Sequence, residues 1–194
     1  FGRTRRHTDE NESDMETFAI RSGDRGRTWE EYPSIVSPPR PAEKVDVFKN
    51  GYPPIRLPDG MYVGAFYLGP SSDLYLYGSG DSGLTWDYLS LISGDRSGSA
   101  RMSYPCLIVA PNGRLQLYTV NIQGGRNALQ MAESVDVYSW SGHRPIVRVG
   151  ASPWLSRPMP KQSRYQLGDR VYYRSPWPLV LRDGRIVVVF GRRK

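Results

Sequence analysis

The sequence predicts an all-β protein built from repeated units of short antiparallel strands. Turn-forming glycine and proline are abundant, with 20 and 16 residues among 194. No long stretch shows the apolar periodicity of an amphipathic helix. Two short phrases recur along the chain, each between apolar runs of strand length, as expected of strands joined by tight turns.

The first phrase has the pattern Ser-x-Asp-x-Gly-x-Thr-Trp. Complete copies span Ser22–Trp29 and Ser79–Trp86, and a third, Ser134–Trp140, is one residue shorter and lacks the glycine. Glycine adopts positive φ at little cost, and an aspartate can accept hydrogen bonds from backbone N–H groups across a turn. We therefore predict that each copy is a hairpin turn with its tryptophan packed beneath. The residues given this structural role are Asp24, Trp29, Asp81, Trp86, Asp136 and Trp140.

The second phrase is a proline, a short apolar run, Asp-Gly or Asn-Gly, and another apolar run. It occurs at Tyr52–Phe66, Tyr104–Tyr118 and Ser175–Phe190. Asp-Gly or Asn-Gly between two apolar runs is a strong hairpin signal. Each copy therefore predicts two inner strands, and the Ser-x-Asp phrase joins two outer ones. Four strands in a unit of about 50–70 residues are typical of a β-propeller blade.

These repeats divide the chain into four pieces. We expect an outer half-blade over residues 1–36, blades over 50–95 and 103–140, and an inner half-blade over 171–194. About three blades would not close a ring comfortably, and open blades leave sheet edges unpaired. We therefore expect the remaining propeller blades to come from a longer chain or from a second copy.

The residue pattern of the first phrase resembles the Asp-box of sialidases (neuraminidases) and other BNR-repeat proteins. The resemblance covers most of the chain, because the segments between the phrases repeat too. It implies a sialidase-type β-propeller, with about three blades of a six-bladed ring present. In that family the Asp-boxes lie at the rim, away from the substrate. The resemblance also favours an extracellular or periplasmic location.

The resemblance implies a sialidase-like glycoside hydrolase acting on an anionic sugar such as terminal sialic acid. Sialidases are retaining glycosidases with a tyrosine nucleophile. In the family, arginines clamp the sugar carboxylate, which their planar guanidinium groups match in geometry, and an aspartate is the acid/base. A glutamate partners the nucleophile.

The opening of the chain resembles the first blade of that family. There the family places a pocket arginine and then the acid/base aspartate, before the third strand. Arg3 matches the arginine, and Asp9 matches the acid/base, with Asp14 as the alternative.

Two later positions of the family's catalytic site have counterparts in this sequence. Tyr173 resembles the nucleophile, and so does Tyr104, although a proline replaces the serine that follows it in the family. Arg126 is at a position where the family has an arginine, and Arg192 is a further arginine expected to face the pocket. The family's Glu partner and its Arg-Ile-Pro strand have no counterpart. A non-catalytic carbohydrate-binding or structural propeller therefore remains the alternative.

Composition and charge limit the classes of partner and cofactor that we expect for this chain. The net charge of +7 favours an acidic partner, and no nucleic-acid-binding motif is present, so we expect a glycan and no nucleic acid. No apolar run approaches the ~20 residues of a membrane span. The single cysteine, Cys106, lies in an apolar run and is predicted to be a buried thiol. No metal-ligand spacing occurs, and we expect no cofactor.

Overall fold

The computed structural model describes residues 2–6, 13–39, 47–69, 73–94, 102–121, 128–148 and 172–193. These ranges contain strands, turns and extended segments and no helix, which confirms the predicted all-β class. The strands are β1 Gly2–Arg6, β2 Ser13–Ala19, β3 Ser34–Val36, β4 Val47–Asn50, β5 Ile55–Arg56, β6 Tyr62–Gly69, β7 Asp73–Ser79, β8 Asp87–Ser93, β9 Met102–Val109, β10 Leu115–Asn121, β11 Ala128–Ser134, β12 Arg144–Arg148, β13 Tyr172–Val180 and β14 Ile186–Arg193.

The strands form four antiparallel sheets. Sheet I has the order β1-β2-β3, and sheet IV is the hairpin β13-β14. Sheet II has the order β4-β6-β7-β8, with β5 also pairing β6, and sheet III has the order β12-β11-β10-β9. Sheets II and III are therefore up-and-down meanders of the kind expected of propeller blades.

The strand registers separate two faces of the molecule. In sheet II, Tyr62 pairs with Ser79 at one end of the hairpin, and Leu68 pairs with Asp73 at the other. The Ser-x-Asp turn follows Ser79, so it shares an end with the Asp-Gly hairpin that precedes Tyr62. We call this end the Asp-turn face, and the other end the opposite face.

Sheets III and IV have the same polarity. Leu115 pairs with Ser134 at the Asp-turn face, and Asn121 pairs with Ala128 at the opposite face. In sheet IV, Val180 pairs with Ile186 beside the Asp-Gly turn, and Tyr172 pairs with Arg193 at the opposite face.

Each boundary between neighbouring sheets has its own apolar cluster. Between sheets II and III it includes Leu74, Leu76 and Leu117, all completely buried. The other two clusters lie between sheets I and II and between sheets III and IV. Because fully burying one such side chain contributes about 1.5–3 kcal/mol, stacking of the sheets is a large stabilising term.

The three Asp-Gly or Asn-Gly hairpins have one geometry. Gly60, Gly113 and Gly184 all have positive φ, between 78° and 96°. In each turn the side-chain oxygen of the Asp or Asn accepts the backbone N–H of the residue two positions later. In the first hairpin, Asp59 Oδ1 accepts the N–H of Met61 at 3.0 Å. Asn112 and Asp183 make the equivalent bonds. The sequence signal for these hairpins is thus confirmed.

Backbone conformation makes Gly83 sensitive to substitution. Gly83 has a φ of 89°, and a Cβ added there would lie 3.4 Å from Cδ of Arg21. We expect Gly83→Ala to lower the free energy of unfolding by about 1–2 kcal/mol, since an L-residue pays this much in the left-handed region. Gly80→Ala is the matched control, because its Cβ would meet nothing within 4 Å and its φ is not positive. Equal midpoints of thermal unfolding for the two variants would contradict the prediction.

Candidate functional site

The Asp-turns, residues 22–29, 79–86 and 134–140, are held by their aspartates. Asp24 Oδ1 accepts the backbone N–H groups of Arg27 and Thr28 at 3.0 and 2.8 Å, and the Thr28 hydroxyl donates to Oδ2 at 2.7 Å. Asp81 accepts the N–H and the hydroxyl of Thr85 at 2.9 and 2.6 Å. One carboxylate thus spans the turn and joins its two ends.

The third Asp-turn keeps the aspartate without the glycine. Asp136 Oδ1 accepts the N–H groups of Tyr138 and Ser139 at 3.0 and 2.7 Å. Val137 has a φ of 64°, a conformation that is unfavourable for a β-branched residue. The shorter turn still closes, because Ser141 donates its N–H to the carbonyl of Glu133 at 2.8 Å.

These contacts change the acidity of the carboxyl groups. Hydrogen bonds from Thr28, with smaller contributions from Ser22 and Arg27, lower the pKa of Asp24 to about 2. Hydrogen bonds from the Thr85 hydroxyl and N–H lower the pKa of Asp81 further. Both carboxylates are therefore fully ionised at neutral pH, and their bonds stay within the turn.

Two of the turns also contact the preceding sheet. The Ser34 hydroxyl in β3 donates to the carbonyl of Gly83 at 3.1 Å, and the Ser90 hydroxyl in β8 donates to that of Val137 at 2.7 Å. The indole of Trp140 then donates to Ser90 Oγ at 3.1 Å. These turns therefore bind neighbouring sheets together at the Asp-turn face.

On the opposite face, the first strands of sheets II, III and IV are all interrupted. Tyr104 in β9 has a φ of 57°, and Ser175 in β13 has a φ of 49°, with a register shift beside each. Both residues precede a proline. A proline favours an extended conformation in the residue before it, so these positive φ angles are unfavourable. In sheet II the same Tyr-Pro position, Tyr52, lies in the gap between β4 and β5. Bulges of this kind often lie next to active sites, where they redirect a side chain.

The interrupted segments meet. A Cβ on Gly51 would lie 3.3 Å from Cα of Tyr104, and the rings of Tyr52 and Trp177 make an edge contact at 5.2 Å. Burial raises the pKa of Tyr52 to about 12, and the neighbouring Ser175 side chain partly counters the rise. We take Tyr52, Tyr104, Ser175 and Trp177, which we call the inner-strand cluster, as one part of the candidate site.

Tyr173 and Arg192 form the other part, one layer nearer the opposite face. They are register partners in β13 and β14. Tyr173 is completely buried, and its ring contacts Phe190 edge-on at 5.3 Å. Burial raises the pKa of Tyr173, and the positive charge of Arg192 opposes that rise. An arginine therefore lies close enough to act on the charge of this hydroxyl.

Several proposed site residues cannot be placed in this geometry. Asp9 and Arg126 lie outside the described residues. Arg3 lies in β1 and Asp14 in β2. In the backbone register of these strands, Arg3 is opposite Glu16 and Asp14 is opposite Arg5. Their roles, like those of the tyrosines, stay predictions.

The structure adds residues that the sequence reasoning did not select. Tyr52 and Ser175 occupy the repeated position before the proline, and comparing that position across the three copies would have found them. Trp177 follows the proline in the third copy, where the other copies have Pro54 and Cys106. Asp73 begins β7 at the opposite face, is buried, and accepts a hydrogen bond from the Tyr75 hydroxyl at 3.0 Å. No repeated motif includes Asp73, so nothing in the sequence pattern indicates it.

Cys106 is buried, as predicted, and burial raises the pKa of its thiol to about 12. The described ranges contain no group of three or more His, Cys, Asp or Glu side chains arranged to hold a metal ion. Within the same ranges, no helix has the length and apolar character to cross a membrane.

No protein-family model matches the sequence, and no curated protein matches it either. Solved structures do match. One is an α-L-arabinofuranosidase of Fusarium graminearum in complex with an iminosugar inhibitor, with a TM-score of 0.67 and 18% identity over 91% of this chain and 48% of that one. Another is an α-L-arabinanase of Penicillium chrysogenum with arabinobiose, with a TM-score of 0.64 and 22% identity over 91% and 49%.

A leech intramolecular trans-sialidase matches with a TM-score of 0.54 and 23% identity, over 68% of this chain and 19% of that one. These similarities show that the chain has a sialidase-like β-propeller fold. The chain spans about half the length of the two arabinan-related structures.

The lowered pKa values of Asp24 and Asp81 predict how the turns respond to acid. A carboxyl whose pKa is lower in the folded state than its usual ~3.9 stabilises the fold above that value and ceases to do so as the pH falls through the folded pKa. We expect Asp24→Asn and Asp81→Asn to lower the melting temperature between pH 5 and 7, and the deficit to shrink between about pH 4 and pH 2. Asp87→Asn, at an exposed position in β8, is the control. A deficit that is constant from pH 7 to pH 2 would contradict this account.

Proposed function

We propose that the chain forms part of a propeller glycoside hydrolase whose substrate binds at the opposite face. The observation that carries this proposal is the fold match over 91% of the chain to two enzymes named for the hydrolysis of arabinose-containing glycans. The Tyr173–Arg192 pair and the inner-strand cluster support it, because polar and aromatic groups converge there from three sheets. Fold similarity alone does not fix a reaction, so the residues must be tested directly.

For the substrate we favour an anionic sugar such as terminal sialic acid. Arg192, with Arg3 and Arg126, would bind the sugar carboxylate through paired N–H donors, which suit a carboxylate better than the point charge of a lysine does. The net charge of +7 would attract such a substrate over longer distances.

In this scheme Tyr173 attacks the anomeric carbon, and Tyr104 is the alternative nucleophile. The proton of the attacking hydroxyl passes to a carboxylate base from another part of the propeller, in the role that a glutamate has in sialidases. Asp9 gives its proton to the leaving oxygen and, in the second step, takes a proton from the attacking water. A phenol suits an anionic sugar because a neutral nucleophile meets less repulsion than a carboxylate. The opposing effects of burial and Arg192 on Tyr173 bear on this role, since attack requires loss of the hydroxyl proton.

A second candidate is hydrolysis of a neutral arabinofuranoside. The arabinan-related structures match a larger share of this chain than the trans-sialidase does, with TM-scores of 0.67 and 0.64 against 0.54. A neutral furanose needs no carboxylate clamp. Arg192 would then be less important for binding than the aromatic rings of the inner-strand cluster.

The two candidates differ in how they respond to loss of Arg192. With the intact natural protein and fluorogenic sialoside and arabinofuranoside substrates, we expect Arg192→Ala to reduce kcat/KM for the sialoside about 10- to 100-fold, as for a hydrogen-bonded charge contact. Arg182→Ala is the matched control, because Arg182 is exposed beside the Asp-Gly turn of the same sheet, on the other face. Turnover of the arabinofuranoside alone, with little effect of Arg192→Ala, would favour the second candidate.

Tyr173→Phe tests the nucleophile, since it removes the hydroxyl and retains the ring that packs against Phe190. We expect the melting temperature to change little and kcat to fall about 10²-fold or more, as for loss of a group needed only in the transition state. Asp9→Asn should reduce turnover similarly. Unchanged turnover in either variant would refute that assignment, and glycan binding without sugar release by the parent protein would favour the non-catalytic alternative.

A further inference from the structure

A cavity of about 410 Å³ lies between sheets I and II, on the Asp-turn side of the molecule. Its volume is within the range of about 300–1,000 Å³ typical of small-ligand pockets. The walls include Trp29, Trp86, Tyr62 and Phe66, with Arg21 and Asn50 among the polar side chains. Neither Tyr173 nor the inner-strand cluster lines it, so it is separate from the proposed catalytic face.

The two tryptophans come from neighbouring Asp-turns and are placed by them. A Cβ on Gly26 would lie 3.9 Å from Cζ2 of Trp29, and a Cβ on Gly83 would lie 3.9 Å from Cζ2 of Trp86. The indoles are therefore fixed against turns whose aspartates hold their shape. Trp29 is 57% exposed, so one aromatic wall of the cavity remains open to solvent.

Trp86 differs from Trp140, the tryptophan at the same position of the third Asp-turn. Its indole nitrogen is buried and has no hydrogen-bond acceptor among the described residues, whereas the indole of Trp140 donates to Ser90. A buried donor without an acceptor costs stability, and this one belongs to a side chain that lines the cavity.

The charges at this cavity are already compensated. Arg21 Nε and Nη2 both donate to Glu30 Oε2, at 2.8 and 2.6 Å, and the Arg21 backbone N–H donates to Glu30 Oε1. The hydrogen bond to Glu30, with smaller contributions from the negative charges of Glu30 and Asp81, raises the pKa of Arg21. The ion pair leaves no uncompensated charge to attract an ionic ligand.

We propose that this cavity is a second, non-catalytic binding site for a neutral sugar ring. Aromatic faces carry partial negative charge and attract the C–H groups on the face of a sugar ring, while N–H, amide and hydroxyl groups pair with its oxygens. An aromatic cavity with a few donors and a compensated ion pair combines these properties. A site of this kind on the Asp-turn face would hold a glycan to the protein without occupying the catalytic face.

The test compares Trp86→Phe with Trp140→Phe in the intact protein. Both changes keep an aromatic ring and remove an indole N–H, but only Trp86 lines the cavity and lacks an acceptor. Binding of arabinobiose, lactose and cellobiose would be measured by calorimetry and by saturation-transfer NMR. We expect Trp86→Phe to weaken binding of at least one disaccharide about tenfold, or ~1.4 kcal/mol.

Stability provides an independent readout. Trp86→Phe should leave the melting temperature unchanged or raise it, because no bond within the protein is lost. Trp140→Phe should lower it by about 2–4 °C and leave disaccharide binding unchanged. Trp29→Ala should weaken binding too, and turnover of a small fluorogenic substrate should be the same in all three variants.

The proposal is overturned if none of the three disaccharides binds, or if Trp86→Phe and Trp140→Phe affect binding equally. It is also overturned if only 3′-sialyllactose binds and its affinity depends on Arg192 rather than on Trp86, since all binding would then belong to the catalytic face.

Discussion

Burial of apolar side chains between sheets is the interaction on which this structure depends. A two- to five-stranded sheet has two faces and cannot cover either by itself, so each sheet is stabilised by its neighbours. The complete burial of Leu76, Leu117 and Leu129 occurs at boundaries between sheets and not within one sheet. The hydrogen bonds of the Asp-turns then fix how neighbouring sheets meet at one face, as when Ser34 and Ser90 donate to the turns of the following sheets.

The same arrangement divides the work between the two faces. Antiparallel meanders return every second connection to the same end, so the Asp-turns and Asp-Gly hairpins share one face. The bulged segments around Tyr104 and Ser175 lie nearer the other. Strain in the first strands is thus accommodated apart from the turns that hold the sheets, and local changes at one face can leave the other intact. This division would let the proposed catalytic site and the proposed sugar site function in one chain without interfering.

Much of the fold could be predicted from the sequence because its signals are local. A glycine with positive φ, an aspartate at a turn and alternating apolar residues act over a few positions, and Gly60, Gly113 and Gly184 all adopt the expected conformation. The third Asp-turn was also recognisable, because it has the aspartate, Asp136, although it lacks the glycine. What the sequence could not show was that Val137 takes positive φ, as Arg25 and Ser82 do at the same position after the aspartate, because neither arginine, serine nor valine signals that conformation.

The candidate site was harder to predict, because it is assembled from distant segments. Tyr52, Tyr104 and Ser175 are separated by 50 residues or more and come together through sheet packing. Tyr173 and Arg192 could be selected only by resemblance to a family, and their register pairing emerged from the hairpin. Asp73 belongs to no repeated phrase. Its position at the opposite face and its hydrogen bond from Tyr75 are visible only in the structure.

The last hairpin has a practical consequence for handling the protein. β14 pairs with β13 on one side and with no other strand that the structure describes, and Val187 and Val189 are 42% and 65% exposed. The run Ile186–Phe190 is uncharged, lacks proline and is rich in β-branched residues, the combination that promotes cross-β stacking between chains. Any form of the protein in which β14 has no second neighbouring strand will therefore tend to form fibrils through it, and Val189→Lys would be the simplest means of keeping such a form monodisperse.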